Sequence, residues 1–427
     1  MAGGLKVLTR AQAQAATASY LPEHVQYPYA ESWNLGIQHV FGPYTAEVRY
    51  VGSRGVHLDT QNRIDIVSPV TKTNSLPTYL QAPTQAQLDA LAVSLEAPPS
   101  AGNPLGGLYY QSYYCVTACY IDKPYFDAGF RKAIVAYKPF GSSTYHGLQT
   151  QLQRKLTHGL QFQAAWTWSH EIDNATADFF STVISPRRPQ DFRNLKAERA
   201  NGLLDHAHRV TVQVSYDVQW FAHDSSWLKK NVLGNYQFVP VYTWETGQWG
   251  TVQSGDDANL NVDAAGDRAV FNAAGQKYVV SDVTPLCTTG TNGLADCNNV
   301  IRTGVDNRSY TVAYQATNPK AGFITAAPGA YATSSRGNFQ TPSINNFDIS
   351  AIKHFKFGER FGFQFIAQSF NVLNHPQFVT GSINDVLSFS NTGSQGYFLP
   401  NDPTFHNAKL NFPSNARTMQ LALKLTF

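Results

Sequence analysis

The chain is 427 residues long with only 14% charged residues, against roughly 25% in an ordinary soluble domain, and its 26 Phe and 22 Tyr beside 2 Met suit pleated, half-buried surfaces better than helices. A net charge of +3 with no block of like charge excludes an electrostatic footprint for nucleic acid. No run approaches the ~18 apolar residues of a membrane helix, whereas the ~9–11 alternating residues of a spanning β-strand remain open.

The N-terminal stretch Met1 to Tyr20 carries Lys6, Arg10 and the small-residue run Ala11 to Ala18 without an apolar segment, so no secretory signal is visible. Either the chain is cytoplasmic or its natural beginning is missing.

Strict alternation then begins, and it places one residue type on each face of a strand. Trp33, Leu35, Ile37 and Phe41 share a face; after the turn Phe41-Gly42-Pro43-Tyr44, so do Tyr44, Ala46, Val48 and Tyr50, with Thr45, Glu47 and Arg49 opposite. Gly52 to Ser143 is a long polar stretch holding Cys115 and Cys119. Leu148, Thr150 and Leu152 alternate with Gln149, Gln151 and Gln153, and past the turn Thr157-His158-Gly159 the residues Leu160, Phe162, Ala164, Trp166 and Trp168 alternate with a face holding Gln161 and Gln163. Glu171 to Ala207 is polar again. Its end, Asp205-His206-Ala207-His208, could suggest a metal or acid/base pair.

Val210, Val212, Val214, Tyr216 and Val218 make the next face, and Gln219 to Gly234 is a moderately long link. Tyr236, Phe238, Tyr242 and Trp244 follow, interrupted by Pro240, which cannot donate to a ladder. Thr246 to Ser343 is the longest polar stretch. In it Asp257, Asn259, Asn261 and Asp263 echo the oxygen spacing of a calcium loop, but Val262 stands where that loop needs glycine and Arg268 where it needs the closing glutamate. Phe347, Ile349, Ala351 and Phe355, then Phe361, Phe363, Phe365 and Ala367 after Phe357-Gly358-Glu359-Arg360, precede a fourth polar stretch, Leu373 to Ala416. The last strand carries Met419, Leu421, Leu423, Leu425 and Phe427 against Gln420, Ala422, Lys424 and Thr426.

These segments make nine strands joined alternately by short turns and long polar connections. Loops beyond ~12–15 residues are uncommon in compact domains, and a one-sided set of them matches an outer-membrane barrel with short periplasmic turns and long extracellular loops. Trp33, Tyr50, Tyr145, Trp168, Tyr242, Trp244 and Phe347 at the long-loop ends, with Phe41, Tyr44, Phe355, Phe361 and Phe427 at the short-turn ends, form two interfacial girdles. A soluble sandwich explains the alternation but neither the one-sided loops nor the weakly charged polar faces. The fold class read from the sequence is therefore all-β, an antiparallel transmembrane β-barrel. Glu47, Arg49, Gln149, Gln151, Gln153, Gln161, Gln163, Gln364 and Gln368 are expected to line its lumen, where amides bind solute or plug without a strong field.

The cysteines fall as two local pairs, Cys115 with Cys119 and Cys287 with Cys297, as loop disulfides of an oxidising exterior do. Four free thiols and a metal site are the alternatives, although only the first pair has zinc-like spacing. No nucleophile elbow, phosphate loop, dinucleotide fingerprint or zincin motif is present, so no enzyme is expected, and no catalytic, cofactor-binding or metal-ligating residue is assigned.

Several segments carry a resemblance. Pro28-Tyr29-Ala30-Glu31-Ser32-Trp33-Asn34-Leu35-Gly36-Ile37-Gln38, Glu47-Val48-Arg49-Tyr50-Val51-Gly52-Ser53-Arg54-Gly55, Tyr145-His146-Gly147-Leu148-Gln149, Gly159 to Ser169, Asn194-Leu195-Lys196-Ala197-Glu198-Arg199, Asn346 to Ser350, Phe370 to Phe378 and the closing Ala422-Leu423-Lys424-Leu425-Thr426-Phe427, in this order, resemble the Oar-like TonB-dependent outer-membrane receptors abundant in acidobacteria. The resemblance implies import of a solute across the outer membrane of a Gram-negative bacterium, with a plug and a TonB-contacting segment that map onto no residue here. Transporter barrels of this kind have roughly 22 strands, so nine imply a C-terminal piece, with residues 1–29 the remainder of an extracellular loop and 30–427 the barrel portion. Terminal Phe427 is then the signal for the barrel assembly machinery, with a plain interfacial anchor of the strand end as the alternative, and the resemblance places Asp205 to His208 at the mouth of a strand, where a polar rim is the plainer reading. Expected partners are outer-membrane lipid, that machinery, the TonB system through the missing regions, and an unknown small solute or peptide. A passive surface or adhesion barrel and a secreted glycan-binding β protein are the alternative functions.

Overall fold

The computed structural model describes residues 9, 11–12, 18–20, 26–91, 121–175, 188–221, 224–287, 311–357, 361–378 and 395–427. Nine long strands form one antiparallel meander: β1 (Tyr29–Phe41), β2 (Tyr44–Arg63), β3 (Ile134–Thr157), β4 (Leu160–Asp173), β5 (His208–Asp217), β6 (Tyr236–Glu245), β7 (Ile344–Phe357), β8 (Phe361–Phe370) and β9 (Thr418–Thr426). Each pairs with its sequence neighbour, and β1 and β9 are the two open ends of the path. The structure is a transmembrane β-barrel wall, not closed among the described residues.

Local chemistry sets the hairpins. Gly42 takes φ +56° before Pro43, the arrangement of a type II′ turn, and His158 and Gly159 both sit at positive φ as a type I′ turn requires. The first turn fixes an unbroken register from Phe41 opposite Tyr44 to Tyr29 opposite Val56. Pro240 lies in the central strand β6, paired with Ile349 of β7. On its other side the β5 ladder passes from Gln213 opposite Val241 directly to Tyr216 opposite Phe238, so its missing N–H falls where the ladder is already open.

One face of this sheet is apolar and uncovered. Ile37 is 77% exposed and Leu423 67% exposed, and the same face carries Leu35, Val48, Leu421 and Leu425. Leaving such side chains in water forgoes about 1.5–3 kcal/mol each, whereas hydrocarbon accepts them without cost. Aromatic rings bound this band on both sides. Toward the long loops the Trp33 indole lies over Gly52, where any Cβ would meet it at 2.2 Å; the Tyr50 hydroxyl is 2.6 Å from His146 Nδ1, and His208 stacks on Trp166. Toward the short turns Phe41 stacks on Tyr44, and Phe355 packs on Phe363. Tyr145 corrects one girdle assignment: it lies at the expected end but opposite Ser53 and Glu171, two residues from inward Gly147, and so faces inward. Lys353, opposite Tyr236 and Phe365, is the one charge on the outer face of β7, as Arg154, opposite Tyr44 and Phe162, is on β3.

The long connections are not structureless. β2 has 20 residues and β3 has 24, about twice what a membrane crossing needs, and their ladder continues past bulges at Gly55, Leu58 and Thr60 to pair Arg63 with Val135. Ala18–Tyr20 adds a short parallel strand to this extension. The loop expected from Gly52 therefore begins only after Arg63. Three small sheets, built from Thr78–Tyr79 with Val283–Cys287 and Thr311–Ala316, from Val270–Phe271 with Gln276–Ser281 and Ala321–Ile324, and from Trp249–Gly250 with Phe339–Gln340, form a cap at this end. The cap holds most of the buried apolar core, with Phe323, Phe339, Tyr397 and Phe398 packed together. At the opposite end the described residues form only turns, apart from the link after β5, where a π-helical turn spans Lys229–Leu233.

Candidate functional site

The inner face is assembled row by row across the ladder. Gln38, Glu47, Gln151, Ala165, Thr211, Thr243 and Asn346 lie side by side. The next row toward the cap holds Arg49, Gln149, Thr167, Arg209 and Glu245. The next row toward the turns holds Thr45, Gln153, Gln163, Gln213, Val241 and Asp348. Gln161 stands opposite Ser215; Gln364 lies between His354 and Lys424, and Gln368 between Ser350 and Gln420. All nine residues singled out in the sequence thus sit on the face opposite the apolar one.

Charges of both signs share this face, Asp348 and Lys424 among them. Arg49 pairs with Glu47 on its own strand, and Arg209 reaches Glu245 at 3.6 Å, so the rows present amides and mixed charges rather than a ring of one sign. The amides also bond laterally: Gln368 Nε2 donates to Ser350 Oγ at 3.2 Å and Gln237 Nε2 to Ser215 Oγ at 3.1 Å. Gln38, Gln213 and Gln237 belong to this lining, and alternation on their own strands marks the face of each.

Above the wall, buried arginines tie the cap down. Arg336 donates to the Asp173 carboxylate, to the Asp173 carbonyl at 2.7 Å and to the Glu198 carbonyl at 2.9 Å. Arg268 pairs with the Glu198 carboxylate, and Arg188 grips Asp263 through Nε at 2.6 Å and a terminal nitrogen at 2.7 Å. These arginines lie in connections where the sequence offers no periodic signal.

The segment Asp205 to His208 does not converge on a shared ligand position. Asp205 accepts from the Glu171 N–H at 2.8 Å and from the Trp249 indole at 3.0 Å; His206 Nδ1 lies 2.7 Å from the Thr246 carbonyl, and His208 stacks in the girdle. The segment is a rim brace. The calcium-like spacing is consumed in the same way. Asp257 accepts from the Asn261 and Val262 N–H groups at 3.0 and 2.8 Å, Asn259 donates to Asp267, and Asp263 belongs to Arg188. Among the described residues no group of three or more His, Cys, Asp or Glu is placed to hold a metal.

Burial drives two of these cap acids toward their neutral forms. The Asp257 carboxyl is pushed up to about 6, by burial first, and Asp267 is raised well above the ordinary carboxylate value by burial and then by repulsion from Asp257. An acid that holds its proton more tightly folded than unfolded contributes stability that is complete below its unfolded value and lost as pH rises through its folded one. Amides of residues 256–268 are therefore expected to exchange more slowly, after correction for intrinsic rates, near pH 4 than above about pH 7. Asp257→Asn should weaken that dependence, which exchange mass spectrometry reads directly.

Cys287 is buried and disulfide-bonded, while Cys115, Cys119 and Cys297 lie outside the described residues, as does the turn 358–360. Phe427 follows β9 and is exposed.

A family model described as outer membrane beta barrel domain matches residues 4–405. No curated protein matches the chain. Among solved structures, the outer membrane transporter YddB from Escherichia coli is 8% identical with a TM-score of 0.38, over 97% of this chain and 35% of that one. A mutant ferric enterobactin receptor PfeA from Pseudomonas aeruginosa is 10% identical with a TM-score of 0.38, over 96% of this chain and 32% of that one. The unliganded ferric citrate transporter FecA is 9% identical with a TM-score of 0.34, over 93% and 31%. The chain spans about a third of the length of each.

Proposed function

The chain belongs to the outer membrane beta-barrel domain family and resides in the outer membrane, and from that premise we propose that it is the C-terminal wall of an Oar-like TonB-dependent receptor that imports an unidentified solute. Residues 1–29 are then the remainder of an extracellular loop and 30–427 the barrel portion. The observation that carries the reading is the pairing of an amide-rich inner face of mixed charge with a folded cap on the long-loop side. Such a wall hydrates a passing solute without trapping ions of either sign, and the cap supplies a structured surface for capture outside the cell. Gating and energy transfer are assigned to a plug and a TonB-contacting segment in the rest of the receptor. Phe427 serves the assembly machinery, and the chain performs no catalysis.

The free edges of β1 and β9 support a wider whole barrel, because unpaired backbone groups facing hydrocarbon cost several kcal/mol each. Two experiments test the proposal. Planar bilayers given this chain alone are expected to show no discrete conductance steps, and stable uniform steps would make it a complete small porin. Cells carrying the intact gene are expected to take up at least one solute in a manner abolished by deletion of TonB. If removal of the gene changes attachment to surfaces and no uptake, the barrel is a passive adhesin.

A further inference from the structure

The link between β5 and β6 has an inverted distribution of polarity. Around the π-helical turn Lys229–Leu233, polar Asn231 is 5% exposed, with its side-chain amide donating to the Trp227 carbonyl at 3.2 Å. The large apolar side chains point away: Trp220 is 69% and Leu228 61% exposed, and Phe221, Trp227, Val232 and Leu233 are exposed with them. A water-facing turn is built the other way round, with its apolar side chains tucked against the body.

This segment is fastened to the outer wall from outside. Lys353, the lone charge on the apolar face of β7, lies buried beneath it; its ammonium donates to the Gly234 carbonyl and, at 3.2 Å, to the Val232 carbonyl, and sits 4.0 Å from the centre of the Tyr236 ring. The lysine thereby satisfies carbonyls that the end of the turn leaves without helical partners. Tyr236 also donates its hydroxyl to the Val232 carbonyl at 3.3 Å. Two lysines accompany the exposed rings. Lys229 lies 3.6 Å from Asp224, and among the described residues no carboxylate lies within ion-pair distance of Lys230.

We infer that residues 220–221 and 224–234 form an interfacial foot that lies in the periplasmic leaflet, with Trp220, Trp227, Leu228 and Leu233 at the boundary of headgroups and acyl chains and Lys230, helped by Lys229, on the phosphate of an anionic phospholipid. Three observations select lipid as the occupant. The apolar surface is continuous with the lipid-facing wall, through Tyr236 and Lys353; the segment lies at the level of the short-turn girdle, where tryptophan is favoured; and its cationic charge complements an anionic headgroup. The geometry is that of an amphipathic segment lying in the interface plane rather than crossing it.

The test uses the intact receptor that contains this chain, in phosphatidylethanolamine vesicles supplemented with phosphatidylglycerol or phosphatidylcholine brominated near the headgroup. The sequence has 7 Trp, so the signal of Trp227 is taken as the difference between wild type and Trp227→Phe. Quenching of Trp227 by either lipid places the foot in the membrane, and quenching at a severalfold lower fraction of phosphatidylglycerol supports the headgroup assignment. The double substitution Lys229→Gln/Lys230→Gln, at exposed positions, is expected to erase that preference, by about fivefold for each lysine near the surface, while leaving quenching by phosphatidylcholine intact. Absence of quenching by both lipids, as for a face covered by a periplasmic protein, would overturn the inference. Equal quenching by both lipids in the wild type would overturn the anionic headgroup.

Discussion

Leu423→Arg is expected to destabilise the barrel by ~2–4 kcal/mol, provided the side chain sits near the bilayer midplane, and Lys424→Arg by far less. The two residues are adjacent on β9 yet stand on opposite faces: Leu423 is opposite Phe365 in the exposed apolar band, whereas Lys424 is opposite Gln364 on the amide-lined face. An arginine at the first position carries a charge into hydrocarbon, and snorkelling recovers only part of the loss. At the second it exchanges one hydrated cation for another. Urea titration of the intact receptor refolded into phosphatidylcholine vesicles measures both, and equal losses would mean that the facing of this strand is reversed.

Arg336→Met is expected to cost about 3–5 kcal/mol of cap stability, because it leaves a buried carboxylate without its counter-charge. Arg336 and Asp173 are both nearly inaccessible, and the same guanidinium serves the Glu198 carbonyl, so one side chain joins β4, the 195–198 turn and the connection before β7. The cost lies mainly in the orphaned acid. Arg336→Met combined with Asp173→Asn should therefore regain a large part of the loss, although each single change removes the same bond. Limited proteolysis of the cap, with the transmembrane wall as internal reference, separates the two cases.

How much of this was legible in the sequence depends on what each segment faces. The nine spanning strands are readable because lipid on one side and water on the other impose a period of two, and the hairpins are readable because Gly42 and Gly159 occupy the angles their turns demand. The signal fades once both faces meet polar surroundings. Gly52 to Arg63 continues β2 with no alternation, and so reads as loop. The cap is opaque for a different reason: its core brings together residues far apart in sequence, as Phe339 does with Phe323, Tyr397 and Phe405, and no local pattern announces such an encounter. Tyr145 shows that an aromatic at the right height need not be on the outer face, which parity with Gln149 already indicates. Lys353 is the converse case. Its parity places it among Ile349, Ala351 and Phe355, and a lysine there signals a carbonyl-rich partner on the outside of the wall.

The length of β2 and β3 bears on how the cell presents this protein. A strand of 20 residues at about 3.3 Å per residue and a tilt near 40° rises roughly 50 Å, about twice the height of the apolar band. The β2–β3 ladder accordingly lifts one side of the cap roughly 25 Å above the acyl chains, while the cap's base stays fastened to the rim of the wall through Arg336 and Asp173. Antibodies or bacteriophage directed at the cap would find it on intact, unpermeabilised cells, and a surface protease would reach its connections while the wall below stayed shielded.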